Sequence, residues 1–162
     1  MKSQENNSSG ESFFDSRAAI LSAIPHRPPF LFVDRIESWT DEEIVCSYRF
    51  KPTEFFFAGH YPNSPIVPGV ILCESAMQAG AIFLTRLFSD EERSAGKVPV
   101  VGRMTDVKFR NLVRPDEKIE QRVTLKEKIA GVFILKAKVT CQGKTVLTFD
   151  FAVTMIDRPE EA

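Results

Sequence analysis

Residues 69–88, GVILCESAMQAGAIFLTRLF, decide the fold. This stretch predicts a helix with apolar side chains on every side, and such a helix has to be enclosed on every side. It also contains Glu74, Gln78 and Arg86, polar groups that a membrane-spanning segment tolerates poorly. We therefore predict the buried core helix of a soluble domain and no membrane span.

The C-terminal part of the sequence predicts a sheet that encloses this helix. Side chains alternate between a largely apolar and a polar face over residues 119–126, 133–141 and 147–155, which is the period of half-buried strands. Ala130-Gly131 and Gln142-Gly143 separate the runs and favour tight hairpin turns. The pattern indicates an α+β architecture, with a long antiparallel sheet curled around one central helix.

The N-terminal part is more irregular. We predict a short helix over residues 16–23 capped by Asp15, and strands over 30–36 and 43–50. Residues 51–68 contain four prolines and read as an irregular segment.

The composition argues against a nucleic-acid-binding function and favours a reducing location. The 162 residues carry 21 Lys and Arg against 22 Asp and Glu, so we expect no nucleic-acid partner. Residues 1–12 have no apolar core and read as a disordered tail rather than a secretion signal, followed by a single domain over 13–158. Three scattered cysteines fit a reducing, cytoplasmic location without disulfides or a zinc site.

Glu74 is the first candidate catalytic residue. It lies in the apolar helix, and Gln78 follows one turn later on the same face. Burial without a partner should raise the pKa of this carboxyl until it is largely protonated, and a protonated carboxyl in an apolar site can act as a general acid. A structural Glu that pairs with an arginine or with backbone at a subunit contact is the alternative.

The two histidines, His26 and His60, both lie in proline-rich loops. A neutral imidazole suits proton abstraction near pH 7, although either residue could be an ordinary loop histidine. His60 is the stronger candidate because the stiff segment after it leads to Gly69, where free amides at the start of a helix can polarise a carbonyl. Base, oxyanion donor and acid would then fall between His60 and Glu74.

Two further features have alternative interpretations. Cys73 adjoins Glu74, but neighbouring helix residues point about 100° apart and cannot share one face of a pocket, so we do not expect a nucleophilic cysteine. A run of basic residues reads as a solvated strand face or as a docking surface for an acidic protein. It comprises Lys97, Arg103, Lys108, Arg110 and Arg114.

The sequence resembles a known family of enzymes. GHYPNSPIVPGV at residues 59–70, followed by Glu74-x-x-x-Gln78-Ala79, is similar to the signature of the FabZ-type (3R)-hydroxyacyl-(acyl carrier protein) dehydratases, and IPHRPPFL at residues 24–31 is similar to their N-terminal motif. Two segments depart from the family pattern: Asn63-Ser64 replaces a Gly-Arg pair, and Asp116 stands where a glycine usually follows the proline.

The resemblance implies a hotdog fold, in which the sheet wraps around the helix, and dehydration of (3R)-3-hydroxyacyl to trans-2-enoyl thioesters in fatty-acid biosynthesis. It implies that His60 is the catalytic histidine and Glu74 the catalytic acid. Gly69 and Val70 would hold the thioester oxygen. His26, Pro68 and Gln78 would support the site, without a cofactor or a metal.

The resemblance also implies two kinds of partner. One is the acyl carrier protein that bears the substrate. The other is a second copy of the chain, because the family forms homodimers, and trimers of such dimers, in which His60 of one chain faces Glu74 of the other. The alternatives are a hotdog acyl-thioester hydrolase and a non-catalytic acyl-thioester binding module.

Overall fold

The computed structural model of the chain describes residues 16–89, 91 and 96–157. The predicted tail at residues 1–12, the Asp15 cap and the predicted domain end at residue 158 lie outside the described residues. The elements, in chain order, are α1 (Ser16–Ala23), β1 (Arg35–Trp39), β2 (Glu43–Arg49), a 3₁₀ helix (Phe55–Ala58), α2 (Gly69–Leu87), β3 (Lys97–Phe109), β4 (Lys118–Ile129), β5 (Val132–Cys141) and β6 (Lys144–Asp157).

Within the described ranges, six strands form one antiparallel sheet in the order β1-β2-β4-β5-β6-β3. Helix α2 contacts β2, β3, β4 and β5, so the sheet packs against it as the sequence predicted. Enclosure is incomplete in the single chain, since Val70 at the helix start is 72% exposed. By length and hydropathy α2 could cross a membrane, but 56% of the relevant window is buried inside the protein. It is the predicted core helix.

The predicted meander of β4, β5 and β6 is confirmed. Ala130 and Gly131 have φ of 48° and 80°, and Gln142 and Gly143 have φ of 48° and 75°; two left-handed residues in a row form the tight turn that suits antiparallel strands. The inward positions of the three strands are buried against α2. Gly80 permits a close approach there, since a Cβ atom on it would lie 2.6 Å from Phe151 Cζ.

The predicted strand over residues 30–36 is wrong at residues 30–34. The structure begins β1 at Arg35, and the preceding residues have no strand hydrogen-bond ladder. Phe32 is fully buried nonetheless, because polar side chains of α2 and β4 bind its backbone in place of a neighbouring strand. The apolar residues of this segment therefore predicted its burial correctly but its secondary structure incorrectly.

Strand β3 lies at one edge of the sheet and is exposed over most of its length. It lacks an alternating buried face, which is why the meander pattern did not include it. Large apolar side chains on it are 36–55% exposed. These are Val100, Val101, Met104, Val107 and Phe109.

Asp116 replaces the glycine of the family pattern and adopts the backbone conformation that glycine favours, with φ of 65°. Asp tolerates this region better than most residues do. Its amide donates to the carbonyl of Phe50 at 2.7 Å, so the turn is retained.

Candidate active site

Glu74 is the one acidic residue in the α2 sequence, and its side chain is 21% exposed. Gln78 donates from Nε2 to Glu74 Oε1 at 3.0 Å. The Nε2 atom of His26 lies 3.5 Å from the same oxygen. Three of the predicted site residues therefore form one cluster around a single carboxylate.

Gln78 fixes this cluster to the backbone segment that precedes β1. Its Oε1 accepts a hydrogen bond from the amide of Phe32 at 2.8 Å, and its Nε2 also donates to the carbonyl of Phe30 at 3.1 Å. The residue is 1% exposed, and an unpaired polar group there would be costly. By binding both the segment and the carboxylate, Gln78 restricts the orientation of Glu74.

His26 reaches Glu74 from the proline-rich segment 24–29. Arg27 donates to the carbonyls of Ile24 and Leu21 at 2.8 and 2.9 Å, which fixes this segment to α1. The His26 ring stacks on Phe30 with centroids 6.4 Å apart, and its buried Nδ1 has no hydrogen-bond partner among the described residues. Nε2 is therefore the nitrogen directed at Glu74, and His26 contacts the carboxylate directly.

The expected rise in the pKa of Glu74 is wrong for the single chain. Burial does disfavour the ionised carboxylate and is the largest single influence, but contact with His26, the hydrogen bond from Gln78 and the charge of His26 together hold the pKa below its ordinary value. The sequence alone does not show His26 as a partner of the carboxyl, because the His26 segment is remote from α2 in sequence. The geometry supplies two partners.

A second polar layer lies beneath the cluster and was not identified as part of the site from the sequence. Ser75 donates to the carbonyl of Phe32 at 2.8 Å. Gln121 of β4 donates from Nε2 to the same carbonyl at 3.2 Å and to Ser75 Oγ at 2.5 Å. Both side chains are fully buried. The detectable signal was Gln121 itself, a polar residue at an inward position of an otherwise apolar strand face.

The start of α2 presents two free amides, as predicted. The amides of Ile71 and Leu72 donate to the carbonyl of Pro68. The amides of Gly69 and Val70 precede them at the helix start and have no hydrogen-bond partner in the described part of the chain. Gly69 packs closely against the Phe109 ring, since a Cβ atom on it would lie 2.8 Å from Phe109 Cε1 and the ring would have to shift. Unpaired helix-start amides of this kind can stabilise a developing negative charge on oxygen.

His60 is fixed by the backbone of the segment that leads to α2. Its Nδ1 lies 3.1 Å from the carbonyl of Ile66, so a hydrogen on Nδ1 is donated there and Nε2 keeps the free lone pair of a general base. Within one chain, His60 makes no hydrogen bond or ion pair with Glu74. The chain thus brings together Glu74, Gln78 and His26. It places Pro68, Gly69 and Val70 at the start of α2, about one turn before Glu74, and His60 makes no hydrogen bond or ion pair with this cluster among the described residues.

A cysteine nucleophile is disfavoured by the setting of Cys73. The thiol is buried, and burial raises its pKa to about 11, so the reactive thiolate is scarce near neutral pH. The three cysteines are free. In the described ranges, no group of three His, Cys, Asp or Glu side chains has an arrangement that could hold a metal ion.

Comparison with protein families gives a match over most of the chain. The model of the FabA-like domain matches residues 24–150. A protein named 3-hydroxyacyl-[acyl-carrier-protein] dehydratase FabZ from Oenococcus oeni is 37% identical over 132 residues, which cover 81% of this chain and 92% of the relative. The protein of the same name from Lactobacillus helveticus is 34% identical, over 78% of this chain and 81% of the relative.

Solved structures support the fold at lower sequence identity. A chain of the dehydratase heterocomplex ApeI:P from Xenorhabdus doucetiae superposes with a TM-score of 0.71 at 12% identity, over 86% of this chain and 91% of that one. A hypothetical thioesterase from Streptococcus pneumoniae, solved with coenzyme A, gives a TM-score of 0.61 at 14% identity, over 90% and 98%. The predicted hotdog fold is confirmed.

Proposed function

The chain belongs to the FabA-like family, and we propose that it is a hydro-lyase of the FabZ type, a 3-hydroxyacyl-(acyl carrier protein) dehydratase of fatty-acid biosynthesis. It removes water from a (3R)-3-hydroxyacyl thioester and releases the trans-2-enoyl thioester. The observation that carries the proposal is a carboxylate in a buried apolar helix, just after two free amides and joined by a proline-rich segment to an oriented histidine.

Each group has one role in the reaction. Nε2 of His60 takes the proton from C2 of the acyl chain. The amides of Gly69 and Val70 bind the thioester oxygen as enolate character develops. Glu74 gives a proton to the hydroxyl at C3, which leaves as water. His26, Pro68 and Gln78 hold these groups in position.

The acid role requires Glu74 to be protonated when the hydroxyl leaves. In the single chain its pKa is lowered, with burial already opposing its two polar partners. A bound acyl chain and a second subunit remove more water from the carboxyl, and this desolvation raises the pKa. We therefore expect the covered, occupied site to make Glu74 a better proton donor than it is in the single chain.

The active site is shared between two copies of the chain. Support comes from the lack of any hydrogen bond or ion pair between His60 and Glu74 among the described residues of one chain, and from the long exposed edge strand β3. An apolar edge strand is a template for pairing with another chain, and a two-fold contact between identical strands is self-complementary. Val70, Phe109 and Leu112 are 55–72% exposed and supply apolar surface near the helix start for the acyl chain.

The acyl carrier protein docks on the basic residues of β3 and the segment after it. Arg103, Lys108, Arg110 and Arg114 are exposed, and positive charge attracts an acidic carrier. By resemblance to the family, the dimers assemble further into a trimer of dimers and the enzyme works in the cytoplasm.

The test of the proposed function is incubation of the purified protein with a (3R)-3-hydroxyacyl thioester or with crotonyl thioester. The change in enoyl absorbance measures dehydration or its reverse. Interconversion of hydroxyacyl and enoyl thioesters is the expected result. Release of free thiol would instead identify an acyl-thioester hydrolase, and binding without either reaction would identify a binding module.

Disruption of β3 should abolish both the dimer and the activity. Met104 lies near the middle of the strand, and Met104→Asp would bring two like charges together at a two-fold pairing. We expect this variant to sediment as a folded monomer with almost no dehydration. Ile129→Asp is the matched control, because Ile129 is 50% exposed at the end of β4, away from the β3 edge. A monomeric Met104→Asp variant with full activity would contradict the shared site.

A further inference from the structure

Tyr61, the residue after His60, has an unusual backbone conformation. Its φ is 52°, a left-handed value that costs free energy in a residue with a Cβ atom. Pro62 follows it, and a residue before proline is normally extended. Tyr61 also begins a turn, since its carbonyl accepts from the amide of Ser64 at 2.9 Å. A strained conformation of this kind persists only where the surroundings impose it.

The strained turn brings the rings of Tyr61 and His60 together. Successive side chains of an extended chain point to opposite sides, whereas here the two ring centroids are 4.8 Å apart with planes at 86°. An edge-to-face contact between aromatic rings is attractive and depends on orientation. The hydrogen bond at Nδ1 fixes one edge of the imidazole, and the Tyr61 ring restricts its rotation about that bond.

The ring of Tyr61, rather than its hydroxyl, makes this contact. The side chain is 63% exposed, and the described part of the chain offers its hydroxyl no hydrogen-bond partner. Phenylalanine would therefore keep the contact, while alanine and glycine would remove it. Alanine would retain the left-handed strain and glycine would relieve it.

We propose that Tyr61 is a positioning residue for the proposed base His60, and that its left-handed backbone is retained because it places the aromatic ring against the imidazole. The inference rests on the proposed function for the role of His60. The Tyr61 hydroxyl has no part in this role. We predict that loss of the ring lowers kcat, whereas relief of the backbone strain changes stability only.

The test compares Tyr61→Phe, Tyr61→Ala and Tyr61→Gly with the wild type. Imidazole ¹⁵N spectra report which nitrogen of His60 carries the proton, and His26→Gln assigns the signals because the chain has only two histidines. We expect one tautomer with Nδ1 protonated in wild type and Tyr61→Phe, and mixed tautomers in the other two. For those two, we expect kcat to fall by roughly tenfold with little change in KM.

Unfolding in urea separates the effect of the backbone strain from the effect of the ring. Tyr61→Gly should unfold at a higher urea concentration than Tyr61→Ala, although kcat is reduced equally in both. Ala130 has φ of 48° in a remote hairpin. Ala130→Gly should therefore raise the urea concentration of unfolding by a similar amount without any loss of kcat. A single His60 tautomer in Tyr61→Ala and Tyr61→Gly, or an equal loss of kcat in Tyr61→Phe, would overturn the positioning role. A wild-type protein without dehydration would reject the proposed function alone, because the spectra do not require turnover.

Discussion

The Glu74→Gln variant should retain the wild-type fold and lose dehydration by a factor of about 10²–10⁴, the usual contribution of a general acid or base. The amide is nearly isosteric with the carboxyl, and its oxygen can still accept the hydrogen bond from Gln78. It cannot give up a proton as a carboxylic acid does. Enoyl absorbance under saturating substrate measures the loss, and circular dichroism with urea unfolding checks the fold.

The control for this substitution is Glu37→Gln. Glu37 also accepts hydrogen bonds, from Ser47 at 2.6 Å and Lys118 at 3.0 Å, but it lies on β1 and not on α2. We expect this variant to keep its activity. Near wild-type turnover in a folded Glu74→Gln variant would make Glu74 a structural residue and leave the reaction without an acid.

His60→Ala should be similarly inactive, with a loss of about 10²–10⁴ in turnover, because we expect no other group to replace the proposed base. Its hydrogen bond to the Ile66 carbonyl is one of few interactions that the histidine makes, so stability should change little. The measurement is again enoyl absorbance, with unfolding in urea to confirm the fold.

His26→Ala is the matched histidine substitution and should be milder, with a loss below about tenfold. It removes a contact that lowers the pKa of Glu74 while burial, which raises that pKa, remains. The pKa of Glu74 should therefore rise, and the pH profile of kcat/KM should shift toward higher pH. Equal losses in folded His26→Ala and His60→Ala proteins would contradict the division of roles between the two histidines.

Much of the fold was predictable because its main elements carry strong local patterns. Burial can be predicted from the local sequence of α2, which is apolar throughout, and of β4, β5 and β6, which alternate. Two glycine-containing dipeptides predict the turns between these strands. The edge strand β3 was harder to recognise, since exposure on both faces leaves no alternation.

The site was predictable in its residue types but not in its contacts. Glu74 is conspicuous as a charge in an apolar helix, and Gln78 follows from helical spacing. The approach of His26 to Glu74, and the bonds of Ser75 and Gln121 to Phe32, depend on tertiary packing between distant segments. This is why the direction of the Glu74 pKa shift could not be obtained from burial alone.

The central claim is that one active site contains His60 from one chain and Glu74 from the other. The most direct measurement is the dehydration activity of a purified heterodimer of a His60→Ala chain and a Glu74→Gln chain, each with a different affinity tag. A shared site predicts that one of the two sites in this heterodimer is intact, so activity should return to about half that of the wild-type dimer although each variant alone is inactive. If the verified heterodimer is as inactive as its parents, each site lies within a single chain and the shared-site account is wrong.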